Sequence, residues 1–402
     1  MTLTTFRGWI LAAMTCLALA PAPTLAQKRY DAGANDHEIK VGHLSPYSGP
    51  ASAYGTIGRA LAAFFEKVNA EGGVRGRQVR FISYDDGYNP AKAVEMTRRL
   101  VEQDEVLLVF NPLGTAPNAA IQPYLNQKRV PQLFVATGAT RWGDPKHFPW
   151  TIGGQPSYQA EARIYAQHIL ETRPDARIAV LWQNDDYGKD YLKGLRDGLG
   201  AKAAAIVAEA SYEATDPTID SQIASLKGSG ADVFVNITTP KFAAMAIRRA
   251  AEIGWRPVHY LNNVSSGAGS VMQPAGAENG VGVMSAFYQR DPSDPQWADA
   301  PEFRAWSAWM RRYLPRGDLS DNLNVYAWNL GHLLVRVLEQ CGDDLTRENV
   351  MRQAANLDLT LPMLLPGVNV KTAPDDFFPF ERARLARWDG RSWVLFGKVY
   401  GR

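Results

Sequence analysis

Between residues 39 and 58 the chain reads IKVGHLSPYSGPASAYGTIG, and two hydroxyls (Ser45, Ser48) and two phenols (Tyr47, Tyr54) crowd its central loop. Such side chains hydrogen-bond and stack. The flanking pattern predicts a buried strand over 39–44 and a helix from the loop to about residue 71. That order puts the loop at the carboxyl end of a strand, the edge where open α/β sheets hold ligands. It is also a helix amino end, whose unpaired N–H groups and partial positive charge suit a carboxylate or phosphate. A plain strand–helix connection is the other reading, since most such loops only connect.

Groups for bond-breaking chemistry do not assemble. No Gly-x-Gly-x-x-Gly follows the first strand, no Gly-x₄-Gly-Lys-Ser/Thr exists to cradle a triphosphate, and no Gly-x-Ser-x-Gly offers a nucleophile elbow. The six histidines (His37, His43, His147, His168, His259, His332) are scattered without metal-ligand spacing. Asp85-Asp86 and Asp185-Asp186 each follow a strand. Paired acids there are expected to cap the next helix rather than bind a metal, because neighbours point opposite ways and a hard cation wants several oxygens. No nucleophile, base and orienting group can be combined, so a non-enzyme without cofactor or metal is expected. Net charge is +2 with acids and bases interspersed, and no basic tract invites nucleic acid.

The elements that must position the loop alternate along the chain. Strands are predicted over 78–84, 106–110 and 130–135, with helices over 90–103 and 116–127, the latter broken late by Pro123. Asn89-Pro90 starts its helix well, Asn as cap and Pro at the first helical position. After Pro156 the rhythm repeats: helix 158–172, strand 177–182, helix 187–199, strand 204–210, helix 219–227, strand 232–237, helix 242–253, strand 258–261 and strand 281–286. This is the βαβ pattern of parallel sheets covered on both faces, twice over, with a seam near 153–157. Helices over 302–314, 322–340 and 347–355 then follow without strands. A hairpin over 384–388 and 393–400, turning at Asp389-Gly390, closes the chain.

With 402 residues and 46% hydrophobic content there is enough material for two cores. Residues 1–26 read as a secretory signal, with Arg7 before an apolar run from Trp9 to Ala20 and a cut expected after Ala26. Cys16 lacks the residues expected before a lipidated cysteine. Cys341 would then be the one cysteine left, a core residue in an apolar helix end. No later segment is long and apolar enough for a bilayer span.

Four motifs in register, SGPASAYG (48–55), NAEGGVRGRQV (69–79), YDDGYNPAKAVEMTRRLV (84–101) and NDDYGKDYLKGL (184–195), resemble the leucine/isoleucine/valine-type solute-binding proteins of ABC transporters. The resemblance runs from about Glu38 to the carboxyl end. It implies an α/β fold of the type I periplasmic binding class, two doubly wound lobes joined by a three-segment hinge. Lobe one would take residues 38–154 plus 288–362, lobe two 155–287 plus 363–402, with crossovers near 153–157, 286–289 and 362–367.

In that family hydroxyls and backbone N–H groups of lobe one hold the ligand's carboxylate. The matching loops are 111–116 (NPLGTA) and 136–140 (ATGAT), which assigns Gly114, Thr115, Thr137, Gly138 and Ala139 to binding. Gly138 would let a ligand approach the backbone, and Thr115 and Thr137 place hydroxyls near helix starts, where capping is their other reading. By the same match Tyr54 lines the cleft from lobe one and Tyr187 from lobe two, with Tyr47 and Tyr158 as further aromatic walls. Positions that can carry a disulfide in the family are Tyr88 and Leu113 here. Amino-acid binders place an acid after the strand at 258–261 to pair with the ligand's ammonium. This chain has Asn262, Asn263, Val264, Ser265 and Ser266 there, with Asn263 taken as a binding residue. A desolvated ammonium without a counter-charge costs several kcal/mol, so either another acid serves or the ligand lacks an α-amino group.

The resemblance thus implies a periplasmic, monomeric binding protein delivering a small carboxylate to an ABC permease by hinge closure. An aromatic acid suits the tyrosines, a branched-chain amino acid being the other solute. A sensor ectodomain or regulator on the same fold, or a periplasmic α/β enzyme, are the rival readings.

Overall fold

The computed structural model describes Thr2 and residues 28–401. Thr2 apart, the signal assigned to residues 1–26 and its cut after Ala26 lie outside the described residues.

Strands β1 (Glu38–Ser45), β2 (Gln78–Asp85), β3 (Leu108–Phe110), β4 (Gln132–Val135) and β5 (Thr151–Gly153) form a five-stranded sheet in the order β2-β1-β3-β4-β5, every pair parallel. Helices α1 (Gly55–Ala70), α2 (Pro90–Glu102) and α3 (Thr115–Lys128) make the first crossovers. Every residue of β3 and β4 is buried, as both faces of a parallel sheet are covered.

The second sheet repeats the plan. Helix α4 (Tyr158–Thr172) leads to β6 (Ile178–Gln183), α5 (Asp186–Leu199), β7 (Ile206–Tyr212), α6 (Asp220–Gly228), β8 (Val233–Ile237), α7 (Pro240–Glu252), β9 (Val258–Leu261) and β10 (Met284–Phe287). Their order is β7-β6-β8-β9-β10, again parallel, and β11 (Arg382–Trp388) and β12 (Trp393–Gly401) extend the β10 edge antiparallel. Both parallel sheets therefore reverse direction between their first and third strands.

The late helices α8 (Pro301–Tyr313), α9 (Asn322–Cys341) and α10 (Arg347–Ala354) return to the first sheet. Phe64 of α1 meets Trp309 of α8 and Trp328 of α9 edge-on, at centroid distances of 6.4 and 5.5 Å. Gly331 permits this, since a Cβ there would lie 2.4 Å from the Phe64 ring.

Three connections join the sheets. Gly154 N donates to Val135 O (2.9 Å) and Tyr158 N to Gly138 O (2.7 Å) around the first. The second and third run antiparallel side by side, with Leu365 N on Tyr288 O (3.0 Å) and Arg290 N on Met363 O (2.8 Å).

Three expectations are corrected. Helix α3 is not broken at Pro123 but runs on to Lys128; Pro123 stands on the exposed side of the helix, and its missing N–H removes one intrahelical bond without ending it. The terminal hairpin turns over residues 389–392, not two residues: Asp389 N donates to Ser392 O, and the Asp389 carboxylate accepts from the Arg391 and Ser392 amides. Asp85 caps no helix. It ties down the β1–α1 loop by accepting from Tyr47 N, Ser48 N and Ser48 Oγ, and Asp86 accepts from Tyr88 N. Asn89 caps α2 instead, accepting from Ala91 N and Lys92 N, whereas Asp185 does cap α5. Asn89→Ala should lower unfolding stability by about 1 kcal/mol, measured by denaturant titration.

Among the described residues Cys341 is free and buried, no group of acids, histidines or cysteines could hold a metal, and no helix is long and apolar enough to cross a membrane.

Candidate functional site

Both sheets turn their strand tips toward one cavity. At the reversal of the first sheet, Tyr54 and Ile57 come from the start of α1, and Leu113, Gly114 and Thr115 from the β3–α3 turn. At the reversal of the second, Tyr187 comes from the start of α5 and Thr239 from the β8–α7 turn. These are the crevices that doubly wound sheets open for ligands. Asn263 and Val264 follow β9, Gln155, Tyr288 and Gln289 come from the connections, and Asn322 and Tyr326 from the first turns of α9.

The lining contains no charged side chain and six tyrosines: Tyr54, Tyr88, Tyr158, Tyr187, Tyr288 and Tyr326. Burial raises the pKa of all six, so they stay neutral phenols. Tyr326 is held by Asn111, whose Nδ2 donates to its hydroxyl (2.7 Å) and to Phe134 O (2.6 Å). Asn111 and Phe134 both have positive φ (52° and 53°), so backbone strain lies directly beneath the cavity. The Tyr187 hydroxyl is buried without a partner.

An anion is best met at the start of α3. Gly114 adopts φ 95°, ψ 139°, and the amides of Thr115 and Ala116 that follow have no intrahelical acceptor. Thr115 Oγ1 lies 2.6 Å from Thr137 Oγ1. If Thr137 donates, Thr115 is left free to donate into the cavity, where helix-end amides favour a negative group.

Of the residues singled out from sequence, Tyr54, Gly114, Thr115, Tyr158, Tyr187 and Asn263 line this cavity. The other four do not. Tyr47 bonds Ser83 Oγ through its hydroxyl (2.6 Å) and lies over Gly58 of α1, where a Cβ would nearly touch its hydroxyl. Thr137 stands behind Thr115. Gly138 makes room for the chain itself: a Cβ there would lie 2.3 Å from Pro156 O and 2.6 Å from the Tyr158 ring. Ala139 is buried beside Tyr158 in a separate apolar cluster. Tyr88, Tyr288, Tyr326, Gln155, Gln289, Thr239 and Asn322 line the cavity without having been singled out for binding. Tyr88 had a signal as a position aligned with a family disulfide, and Gln155, Tyr288 and Gln289 fall in the crossovers that the resemblance implied near 153–157 and 286–289.

Behind the second wall sits Glu161, 5% exposed. Its carboxyl accepts from Asn263 N (2.7 Å), the Tyr165 hydroxyl (2.6 Å) and the Tyr191 hydroxyl (2.9 Å). Tyr191 stacks on Tyr158 at 4.4 Å and meets Tyr187 edge-on at 5.5 Å. Burial pushes Glu161 up to about 7, against the pull of its three hydrogen bonds.

A family model described as "Periplasmic binding protein" matches residues 38–392. The Leu/Ile/Val-binding protein homolog 7 of Brucella abortus is 26% identical over 269 residues, which is 63% of this chain and 65% of that relative. Among solved structures, a branched-chain amino acid ABC transporter protein of Thermus thermophilus with bound valine superposes with a TM-score of 0.83 at 16% identity, covering 92% of this chain and 98% of that one. A solute-binding protein of an R. palustris ABC transporter in complex with 4-hydroxybenzoate gives a TM-score of 0.76 at 17% identity, covering 90% and 97%.

Proposed function

The chain belongs to the periplasmic binding protein family, and from that premise we propose that it is the periplasmic solute-binding component of an ABC importer, clamping a small carboxylate that carries no ammonium, an aromatic acid. The observation that carries this reading is a cavity lined by six neutral tyrosines with no charged side chain. A carboxylate can exchange its water for the Thr115 hydroxyl, the free amides of α3 and the unpartnered Tyr187 phenol, whereas an ammonium would meet no counter-charge. Flat rings pack well between phenol faces. The valine and 4-hydroxybenzoate held by the two solved relatives make both solute classes reasonable starting points.

The lobes of this reading are residues 38–154 plus 288–362 and 155–287 plus 363–402. Each holds the solute through its own reversal point. Bringing Tyr187 and Thr239 against Tyr54 and Thr115 shifts an open–closed balance by the solute's differential affinity. The closed monomer would then dock on a membrane permease, and the solute leaves unchanged.

Calorimetry of the purified protein against benzoate- and cinnamate-type acids and branched-chain amino acids tests this. An aromatic acid should bind tightly, and Thr115→Val should weaken it about ten- to a hundredfold, the usual cost of losing a hydrogen bond to a charged group. Tight leucine binding with no response to aromatic acids would discard the reading.

A further inference from the structure

Gln289 lines the cavity and is 5% exposed. Its Nε2 donates to the backbone carbonyl of Asn322 at 3.2 Å. That contact fixes the orientation of the amide, because the Asn322 carbonyl can only accept. The side-chain carbonyl Oε1 of Gln289 is therefore turned away from Asn322, buried and without a partner, and the Oε1 of Gln155, in the same lining, is buried and unpartnered too. A buried acceptor left unpaired costs about 1–3 kcal/mol, and these two sit where a solute would supply the missing donor. Neither oxygen can serve a carboxylate, which has no proton to give at neutral pH.

We propose that the solute carries, besides its acid group, a neutral hydroxyl whose proton is accepted by the side-chain carbonyl of Gln289. This rests on the aromatic-acid reading above. A hydroxyl fits better than an ammonium because the acceptors are neutral amides and no carboxylate lines the cavity. Specificity follows from the same pair: a ring without a donor leaves the Gln289 carbonyl desolvated and unpaired, and a site built around a buried acceptor discriminates strongly against such an analogue. The acid group identifies the class at α3, and Gln289 selects within it.

The test uses the mature chain and calorimetry with benzoate, the three monohydroxybenzoates and the three chlorobenzoates, whose substituent fills space but donates nothing. Wild type should bind one hydroxy isomer at least tenfold tighter than benzoate and than the matching chloro compound. Gln289→Met, similar in volume, should lose the hydroxyl preference, its hydroxybenzoate-to-benzoate affinity ratio falling to about one whatever happens to benzoate affinity itself. Circular dichroism and thermal unfolding of the variant show that it is folded. If aromatic acids bind but no hydroxyl improves binding, or if the preference survives in Gln289→Met, the assignment to Gln289 is overturned while the aromatic-acid reading stands. If no aromatic acid binds and leucine does, both fall together.

Discussion

Gly114→Ala should reduce solute affinity at least about a hundredfold and also destabilise the fold. The backbone there, φ 95° and ψ 139°, lies in a region open essentially to glycine alone, and forcing an alanine into it costs about 1–3 kcal/mol. Relaxing the backbone gives no escape, because Gly114 is the residue from which α3 departs, and its carbonyl accepts from Asn118 N (3.1 Å) and Asn118 Nδ2 (2.8 Å). A Cβ would also lie 2.5 Å from the ring of Tyr88, itself a wall of the cavity. The substitution therefore moves together the end of α3 where the proposed carboxylate would sit and one aromatic wall. Gly254→Ala is the control. It has a similarly left-handed φ of 68° after α7, but nothing within 4 Å of its missing Cβ. It should cost about 1 kcal/mol of stability and leave solute affinity unchanged. Calorimetry and denaturant unfolding of the two variants separate a site effect from a general penalty. Equal binding by both would mean that Gly114 does not shape the site.

The same glycines show how much of the site was legible in the sequence. Strand–helix alternation identified both sheets, because strands buried on two faces leave short apolar runs with clear breaks such as Asn89-Pro90. Parallel order puts the loops that follow the strands at one edge of each sheet, and it was the resemblance to the solute-binding family that matched the loops carrying Tyr54, Thr115 and Tyr187 to a common cleft. Sequence could not say which neighbour in a loop faces inward. Gly138 reads as a place for close approach, and it is one, but what approaches is Pro156 and Tyr158 of the first connection. Gly114, one loop earlier, has the positive φ beside the cavity. Tyr326 and Asn322 read as parts of an amphipathic helix. They reach the cavity because α9, packed on α1 through Gly331 and Phe64, begins at the cleft. That is long-range packing, with no local signature.

Glu161→Gln should leave thermal stability nearly unchanged at pH 4 and raise it by several degrees at pH 8. Glu161 has an ordinary value of 4.5 and stands at about 7 in the folded chain, chiefly through burial. Below 4.5 folded and unfolded chains both hold the proton. Between 4.5 and 7 only the folded chain keeps it, so stability falls with rising pH, and above 7 the loss is complete. The whole change is on the order of 3 kcal/mol. No cation offsets it, for the carboxyl's partners are the phenols of Tyr165 and Tyr191 and the amide of Asn263. Glutamine keeps an oxygen for Asn263 and Tyr165 and can donate to Tyr191, so the wall behind Tyr158 is retained without a charge to bury. The comparison must be between variant and wild type, because the wild-type profile mixes opposing groups. Asp291, raised to about 7, and Asp86 and Asp321, raised to about 6, act in the same direction as Glu161. His43 and His332, lowered to about 4, and His259, lowered to about 3, are buried neutral and lose stability as pH falls below 6.5. Their contributions offset the acids over the same window, so a flat wild-type curve is compatible with a steep term at Glu161. A difference between variant and wild type that stays constant from pH 4 to pH 8 would show that Glu161 does not titrate there. The carboxylate under the second wall would then have to be a fixed charge, and the neutral lining would no longer describe the electrostatics that a bound solute meets.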